Sequence, residues 1–325
     1  MSRPVFLHGP AFSVGSARPL EALRETEDIT EAMLSDLALR GVKVFCASSR
    51  DLVDMCADAA VESLSKTGLD ASDISGIIFA NDMPLIPGWQ EMALLNRLYD
   101  IGIRTDTVVA LQFLHCSAFA AAIEAAADLV RWKAKDNVLV LLCGQVPPGL
   151  GRLRGELGTV SGDGAAACVV STRQGGIEFL AAETYTDLSL RHTADRASQA
   201  IQSLRAFHNL RTVSKRVFAK TAIDPSKISL LIGTYASQLS LEIAAGAVGV
   251  SRHKLFTGPM QKYGHVSSCD NIIALAAIAD ESRLEESGCV VAVGWSLHVV
   301  GVALFIKAGS MPLTESTGNI LRQAT

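Results

Sequence analysis

The chain contains 325 residues, of which 49% are apolar and 19% are charged, with 26 glycines and 10 prolines. This length and balance fit one large or two smaller globular domains and exclude disordered, collagen-like and coiled-coil chains. The 29 basic and 33 acidic residues give a net charge of −4, so the overall charge does not predict nucleic-acid binding.

The seven cysteines are an odd number and show neither a CxxC pair nor the spacing of a zinc site. This pattern predicts no metal site and favours a reducing, cytoplasmic location over a disulfide framework. The N-terminus lacks the long apolar core of a signal peptide. The uncharged stretch 287–306 is long enough to span a bilayer, but its central glycines and flanking valines favour two buried strands joined by a turn. We therefore predict no membrane segment.

The first half of the chain alternates helices and strands. Helical spacing covers 49–67 and ends at Gly68, an apolar strand follows at 73–82, and a second helix covers 89–102. Residues 107–135 then give a strand, a sharp polar junction and a long Ala-rich helix, and 136–144 give another strand. Such alternation with continuous apolar strands predicts helical layers that cover a central sheet.

The second half repeats this plan. It shows a strand at 228–236, a helix at 240–250, a short strand at 253–258, a polar junction with an Ala-rich helix at 265–287, and closing strands at 289–295 and 299–309. We infer an internal duplication, with an N-terminal half at 1–172 that carries a nucleophilic cysteine and a C-terminal half at 173–325 that carries a histidine. The more polar segment 173–225 is predicted to be a cap or insertion.

Cys116 and His265 occupy matching junctions of the two halves. Cys116 lies where a strand ends and an Ala-rich helix begins, and a helix N-terminus lowers the pKa of a thiol and offers N–H groups to an oxyanion. Matching loops of a duplicated fold emerge at the same end of the sheet, so thiol and imidazole should meet, as nucleophilic catalysis requires. Taken singly, each residue has a structural alternative: a thiol that packs at a boundary, or a capping or core histidine.

The order of these features resembles the thiolase-like condensing enzymes, specifically the 3-oxoacyl-ACP synthase III branch, from GVKVFCAS (41–48) to VALFIKAG (302–309). The sequence LHCSAF stands at the family's nucleophile motif, and SGDGAAACVV matches its GDGAGA stretch. The resemblance implies an α/β fold with a duplicated α-β-α-β-α five-layer architecture and Cys116 as the acyl-accepting nucleophile. It also implies a homodimer, an acyl-CoA or acyl carrier protein thioester as the donor, and no permanently bound cofactor.

The chain departs from the family at the other catalytic positions. Thr234 stands where the family has its catalytic histidine, and His265 stands where it has its catalytic asparagine. The glycine-rich turn of the last hairpin becomes GWSLHVVG, which places His298 near the site. A backbone N–H around Ser296 would complete the oxyanion hole with that of Cys116.

The positions of several other side chains predict roles around Cys116 and His265. Asp270 or Asn271 could orient the imidazole, although an Asp at a helix start is more often a cap. His115 is expected to be structural, because the neighbour of the nucleophile on a strand faces the opposite side. Loops around 83–92 and 185–215 are expected to shape the pocket. The candidates for lining it are Thr234, Tyr235, Ser237, Trp295 and His298.

A basic run precedes Asp224, and it fits either a solvated helix face or a docking surface for an acidic carrier protein or for CoA phosphates. The residues proposed for docking are Arg205, Arg211, Lys215 and Arg216.

The family uses a histidine and an asparagine together for a decarboxylating condensation. His265 alone, at the position of the asparagine, does not easily fill both roles. The sequence therefore predicts an acyltransferase of specialised metabolism, in which Cys116 takes an acyl group from a thioester and His265 helps to pass it to an oxygen, nitrogen or carbon nucleophile. The alternatives are a decarboxylating 3-oxoacyl-ACP synthase III that initiates fatty acid or polyketide synthesis, and a non-catalytic partner subunit of a related enzyme. No nucleic-acid partner is expected.

Overall fold

A computed structural model describes residues 3–82, 89–133, 135–154, 158–190, 196–296 and 298–307. The strands are β1 (Val5–Val14), β2 (Ser16–Pro19), β3 (Val44–Ala47), β4 (Gly76–Asn81), β5 (Val108–Leu111), β6 (Asn137–Gly144), β7 (Leu153–Arg154), β8 (Thr159–Val160), β9 (Gly164–Ser171), β10 (Ile177–Thr186), β11 (Ile228–Gly233), β12 (Cys289–Trp295) and β13 (Val299–Lys307). The α-helices are α1 (Glu31–Leu39), α2 (Leu52–Thr67), α3 (Trp89–Asp100), α4 (Ala118–Trp132), α5 (Arg196–Thr221), α6 (Gln238–Val248), α7 (Gly258–Tyr263) and α8 (Asp270–Asp280).

Nine strands form one mixed sheet in the order β11-β12-β13-β10-β1-β9-β6-β4-β5. In the first half, β1, β9, β6 and β4 are joined by two antiparallel pairings and then a parallel one. The second half repeats these two antiparallel pairings and one parallel pairing along β10, β13, β12 and β11. Because β1 also pairs antiparallel with β10, the two repeats meet at the centre of the sheet.

The helices complete five layers. Helix α4 contacts β4, β6 and β9 of the first half and β10, β12 and β13 of the second, and α8 likewise contacts strands of both halves. These two helices therefore lie between the halves of the sheet. Helices α2 and α3 cover the outer face of the first half, and α5 with α6 covers that of the second. The predicted α-β-α-β-α architecture is confirmed.

Several predicted elements are present with capped ends. Helix α2 begins after Asp51, whose carboxylate accepts a hydrogen bond from the N–H of Val53, and it ends at Gly68 in the left-handed conformation. The stretch 287–306 forms β12 and β13, as predicted. Within the ranges given above, no helix is both long and apolar enough to cross a membrane.

Two predictions about the second half are wrong. The segment 253–258 is not a strand: it holds part of a 3-10 turn and a single bridge from Leu255 to Leu231, because its apolar residues reach the core without a run of paired neighbours. The segment 173–225 is not a cap, because β10 is a central strand and α5 packs on β10 and β13. Helix α5 does so through one apolar face containing Leu210, Val213 and Val217. The boundary at residue 172 stays a prediction.

Candidate active site

Cys116 lies in a 3-10 turn, His115–Ser117, that connects β5 to α4. His115 begins this turn at a φ of 45°, in the left-handed region that side chains rarely adopt. The hydroxyl of Ser117 donates to the carbonyl of Val299 at 2.9 Å and ties the turn to β13. A Cβ on Gly294 would lie 2.5 Å from the carbonyl oxygen of Cys116, so only glycine allows β12 to pass this closely.

His265 follows helix α7 and is held by its own backbone. Its carbonyl accepts a hydrogen bond from the N–H of Gly162 at 2.8 Å, within the GDGA segment that the sequence singled out. Gly264 precedes it at a φ of 70°, and a Cβ there would meet the carbonyl of Val44. The next residue of the GDGA segment, Asp163, is fully buried and receives two hydrogen bonds from Arg152. The GDGA segment is thus a rigid support for His265.

Cys116, His265 and Asp270 form a continuous line of contacts. The Sγ of Cys116 lies 3.5 Å from Nε2 of His265, and Nδ1 of His265 lies 2.6 Å from Oδ2 of Asp270. All three side chains are buried. The carboxylate of Asp270 also accepts hydrogen bonds from the N–H groups of Val266 and Tyr235, each at 2.7 Å. The predicted meeting of thiol and imidazole is confirmed, and the fixed carboxylate turns Nε2 toward the sulfur.

Asn271 does not orient the imidazole. Its side-chain amide donates to the carbonyl of Val293 at 3.4 Å. Its carbonyl oxygen Oδ1 is buried and has no hydrogen-bond partner within the described ranges. Of the two residues that the sequence left open for this role, the one in contact with His265 is therefore Asp270.

Burial changes the charge expected of the thiol. It raises the pKa of Cys116, and the carboxylate of Asp82 adds to this effect, whereas the neighbouring His265 opposes it. The predicted lowering is therefore wrong, and burial, which disfavours the thiolate, is the largest cause of the opposite shift. Burial lowers the pKa of His265, but Asp270 and Cys116 outweigh it and hold that pKa well above its usual range. Because the sulfur and the imidazole lie in contact, the proton equilibria of the two groups are linked.

A second group of polar side chains, missed by the sequence interpretation, lies beside this line. Oδ1 of Asp82 lies 3.1 Å from Nδ1 of His115, and its Oδ2 accepts a hydrogen bond from the hydroxyl of Ser267 at 2.9 Å. The ring of His298 contacts that of His115 edge-on, with centroids 5.0 Å apart. His115 is not on a strand, so the argument that its side chain points away fails. The available signal was the position of Asp82 directly after an apolar strand.

The two predicted oxyanion donors differ. Within the described part of the chain, the N–H of Cys116 makes no hydrogen bond, so it is available to an oxyanion. The N–H of Ser296 instead donates to the carbonyl of Val299 at 2.8 Å and closes the turn between β12 and β13. The assignment of Ser296 to the oxyanion hole is therefore wrong.

Most of the predicted pocket residues are structural. The hydroxyl of Tyr235 donates to the carbonyl of Phe256 at 2.9 Å, and the hydroxyl of Ser237 accepts from the N–H of Ser240 as the cap of α6. Thr234 accepts a hydrogen bond from the N–H of Trp295. Trp295 itself is buried against the ring of Phe207. Of the five candidates, the one beside the group of Asp82 is His298.

A cavity of about 340 Å³ lies between α3 and strands β4 and β5, and none of the five predicted pocket residues lines it. Its walls are mainly apolar, and Asp82 and His115 form part of its polar wall. Part of the predicted pocket loops, 83–88 and 191–195, lies outside the described residues.

Half of the proposed docking charges are already paired. Arg205 contacts Asp187, and Arg216 contacts Glu183. Arg211 and Lys215 are exposed on α5, and no carboxylate pairs with either among the described residues. In the same ranges no group of His, Cys, Asp and Glu side chains is arranged to hold a metal ion, and all seven cysteines are free thiols.

Comparisons with known proteins find similarity to one family of enzymes. The family model of 3-oxoacyl-[acyl-carrier-protein (ACP)] synthase III matches residues 113–188. A β-ketoacyl-[acyl-carrier-protein] synthase III of Aquifex aeolicus (strain VF5) is 23% identical over 252 residues, which cover 75% of this chain and 80% of the relative.

Solved structures share the fold along nearly the whole chain. The crystal structure of 3-oxoacyl-[acyl-carrier-protein] synthase III from Aquifex aeolicus VF5 has a TM-score of 0.78 at 20% identity and covers 93% of this chain and 99% of its own. The acyltransferase ChlB3 has a TM-score of 0.81 at 18% identity, with coverages of 96% and 100%. The resemblance found in the motifs is thus confirmed for the fold, and the family model of 3-oxoacyl-ACP synthase III matches the segment that carries Cys116.

Proposed function

We propose that the chain is an acyltransferase that uses Cys116 as its nucleophile, takes an acyl group from a CoA or carrier-protein thioester, and passes it to an oxygen, nitrogen or carbon nucleophile of specialised metabolism. The observation that carries this proposal is the buried line from the sulfur of Cys116 through His265 to Asp270. A thiol, an imidazole and an orienting carboxylate are the parts of an acyl-accepting nucleophile. No permanently bound cofactor is part of the proposal.

Acylation follows from this geometry. His265 takes the proton of the Cys116 thiol, the resulting thiolate attacks the thioester carbonyl, and the N–H of Cys116 donates to the oxyanion that forms. The carbon–sulfur bond of the donor then breaks, and the departing thiolate takes the proton of the His265 imidazolium. Asp270 keeps the ring aligned through both steps. The product is an acyl group on Cys116 beside a neutral imidazole, ready for an acceptor.

The departures from the family argue against the decarboxylating alternative. At the position of the family's catalytic histidine stands Thr234, which is buried and accepts a hydrogen bond from the N–H of Trp295. A second imidazole is therefore missing where the condensing enzymes hold the enolate. Release of carbon dioxide from malonyl-CoA, lost on replacing His265, would favour the alternative instead.

Intact-protein mass spectrometry tests the proposal. Incubation with acetyl-CoA, hexanoyl-CoA, decanoyl-CoA and the same acyl groups on an acyl carrier protein should add one acyl mass. The adduct should be absent in Cys116→Ala and retained in Cys269→Ala, a control that removes another buried thiol at the start of the neighbouring helix α8. No adduct with any of these donors overturns the proposal. An adduct that persists in Cys116→Ala places the chemistry elsewhere.

We also propose a homodimer formed through β5. This strand is one of the two edge strands of the nine-stranded sheet, and the side chains of Val108 and Val109 are exposed along it. An exposed, apolar edge strand is prone to pair with another strand. Val109→Lys should convert the dimer to a monomer in light scattering, whereas the exposed Val61→Lys on α2 should not. A wild-type monomer at micromolar concentration contradicts this.

The donor is proposed to dock near α5. Arg211 and Lys215 lie one helical turn apart and are the two positive charges of the predicted run that the structure leaves unpaired among the residues it describes. Replacing both by glutamate should raise the KM for the donor without changing kcat. The paired Arg205 is the matched control, because Asp187 already neutralises it. An unchanged KM would show that the run is only a solvated helix face.

A further inference from the structure

His115 and Asp82 form a second imidazole–carboxylate pair, directly beside the nucleophile. The carboxylate lies 3.1 Å from Nδ1 of His115, and in the tautomer that donates from Nδ1 to this carboxylate, Nε2 keeps a lone pair. His298 contacts the same ring edge-on. This arrangement repeats that of Asp270 with His265, although the carboxylate comes from the end of β4.

The two pairs differ in access. The side chain of His265 is 3% exposed, its Nε2 faces the sulfur of Cys116 and its Nδ1 faces Asp270, so both nitrogens are occupied. The side chain of His115 is 42% exposed and forms part of the wall of the 340 Å³ cavity. A molecule in that cavity therefore contacts the side chain of His115 without displacing the buried pair.

The carboxylate of Asp82 also places this second pair close to the reacting groups. It accepts a hydrogen bond from Ser267, two residues after His265, while it holds His115, the residue before Cys116. Asp82 is near enough to both Cys116 and His265 to shift the pKa of the thiol, and its own pKa is lowered mainly by His115 against the cost of burial. His115 is thus tied to the segments that carry the nucleophile and its imidazole.

We propose that His115, oriented by Asp82, is the general base that deprotonates the acceptor, an alcohol or amine with an apolar body, when it resolves the acyl-enzyme on Cys116. This inference rests on the proposed function and deepens it by dividing the two half-reactions between two histidines. His265 serves the sulfur and His115 serves the acceptor. The apolar walls of the cavity, with carboxylate and imidazole in its polar part, suit such an acceptor.

The acceptor, written R–XH, loses one proton and gains the acyl group. Nε2 of His115 takes the proton from X as X bonds to the acyl carbon, and the carbon–sulfur bond to Cys116 breaks. The electron pair of that bond returns to sulfur as thiolate. His115 then releases its proton to solvent, to which it is exposed, and the pair of Cys116 and His265 takes up one proton in return. The products are R–X–acyl and the free enzyme.

The test is His115→Asn, followed by intact mass spectrometry and single-turnover kinetics with 1-butanol and butylamine as acceptor probes. The Asn side chain can keep the donor to Asp82, tolerates the positive φ of residue 115, and lacks a basic nitrogen at the Nε2 position. We expect acylation within about threefold of wild type and transfer to 1-butanol reduced roughly 10²- to 10⁴-fold. Hydroxylamine, which attacks thioesters without a base, should discharge both acyl-enzymes at similar rates.

His8→Gln is the matched control, because His8 bonds to the carbonyl of Arg173, away from the site, and its loss should change neither half-reaction. Added imidazole should partly restore transfer in His115→Ala, which a purely structural role would not allow. Equal transfer rates in wild type and His115→Asn overturn the inference while leaving the proposed function intact. Parallel loss of acylation and transfer also overturns it, because His115 would then position Cys116. Absence of any wild-type adduct overturns both proposals.

Discussion

The two helix junctions at the centre of the molecule share a backbone and differ in chemistry. Each is a 3-10 turn, His115–Ser117 or Ser267–Cys269, that leads into an Ala-rich helix. Each turn begins with a non-glycine residue at positive φ, 45° for His115 and 49° for Ser267, and both of these side chains contact Asp82. In this register Cys116 matches Ser268, and Ala118 matches Asp270.

The difference shows how a duplicated fold builds an asymmetric site. One junction supplies the nucleophile and the other supplies the carboxylate, while His265 enters from the loop before the second turn and bridges them. The strained positive φ at equivalent positions belongs to the shared scaffold. The side chains on that scaffold decide which junction carries the nucleophile and which one orients the imidazole.

Moving the nucleophile from one junction to the other tests whether the two junctions are chemically equivalent. Cys116→Ala should lower acyl transfer by at least about 10³-fold, since the sulfur is the atom that is acylated. Adding Ser268→Cys should not restore it, because the Ser268 hydroxyl donates to the carbonyl of Cys143 at 3.3 Å rather than facing His265. Intact mass after incubation with hexanoyl-CoA gives the answer. A full adduct on the double variant would mean that the junctions are chemically equivalent.

The carboxylate of the second junction should have the next largest effect. Asp270→Asn should reduce acylation roughly 10²- to 10⁴-fold, because the amide no longer fixes the proton on Nδ1 of His265. Its amino group would also face the N–H of Val266 or Tyr235, at a cost of about 1–3 kcal/mol in the free energy of unfolding. Stopped-flow acylation and urea unfolding measure the two effects.

Asn271→Ala is the matched control for this change. Asn271 is the adjacent buried residue on α8, and one of its polar atoms is unpaired within the described ranges. Acylation should stay within a few-fold of wild type, because His265 does not depend on it. Equal losses in both variants would mean that α8 acts as a packing element rather than through the carboxylate.

The sequence predicted those parts of the site that follow local patterns, and it missed contacts between residues far apart along the chain. Cys116 and His265 were found because each follows a local pattern, a polar junction before an Ala-rich helix, and the duplication placed those patterns together. Asp270 was found for the same reason, as a helix start one turn after His265. Strands such as β4, β6 and β12 were predictable too, since continuous apolar runs mark buried strands, whereas the central strands β1 and β10 were not identified.

The group around Asp82 was not predictable in the same way. Its contacts join residues 33 and 185 positions apart, and no local period encodes them. His115 was misplaced because a strand was assumed where the backbone turns at positive φ. The role of Ser296 failed on a similar point, since its N–H is used by the hairpin itself. The pKa of Cys116 was misjudged because burial of the thiol is a tertiary property.

Two glycines offer a smaller test of the shared backbone. A Cβ on Gly294, at the end of β12, would lie 2.5 Å from the carbonyl oxygen of Cys116. One on Gly144, at the end of β6, would lie 2.7 Å from Cβ of Ser267. Each glycine therefore packs on the junction of the other half. Either change to alanine should cost about 1–3 kcal/mol of unfolding free energy, and Gly294→Ala should impair acylation more.

Gly246→Ala is the control for these two variants. Gly246 is exposed within α6, and an added Cβ there meets nothing within 4 Å. The alanine should stabilise the chain by about 0.5–1 kcal/mol through its helix propensity. Urea unfolding of the three variants gives the comparison. Gly294→Ala with wild-type stability and acylation would show that β12 does not constrain the nucleophile.

The smallest effects concern the titration of Cys116, and their signs separate its two charged neighbours. Burial and Asp82 raise the pKa of the thiol, whereas His265 lowers it. His265→Asn should therefore move the pH profile of iodoacetamide alkylation to higher pH, and Asp82→Asn should move it to lower pH. Alkylation that depends on Cys116, obtained by subtracting the Cys116→Ala rate, measures both shifts. If both variants moved the profile in the same direction, the thiol would be responding to a general change in packing. Opposite shifts require that the thiolate responds separately to two charged groups. One is the imidazolium beside the second junction, and the other is the carboxylate that contacts both junctions. The two junctions would then differ in their charged groups as well as in their side chains.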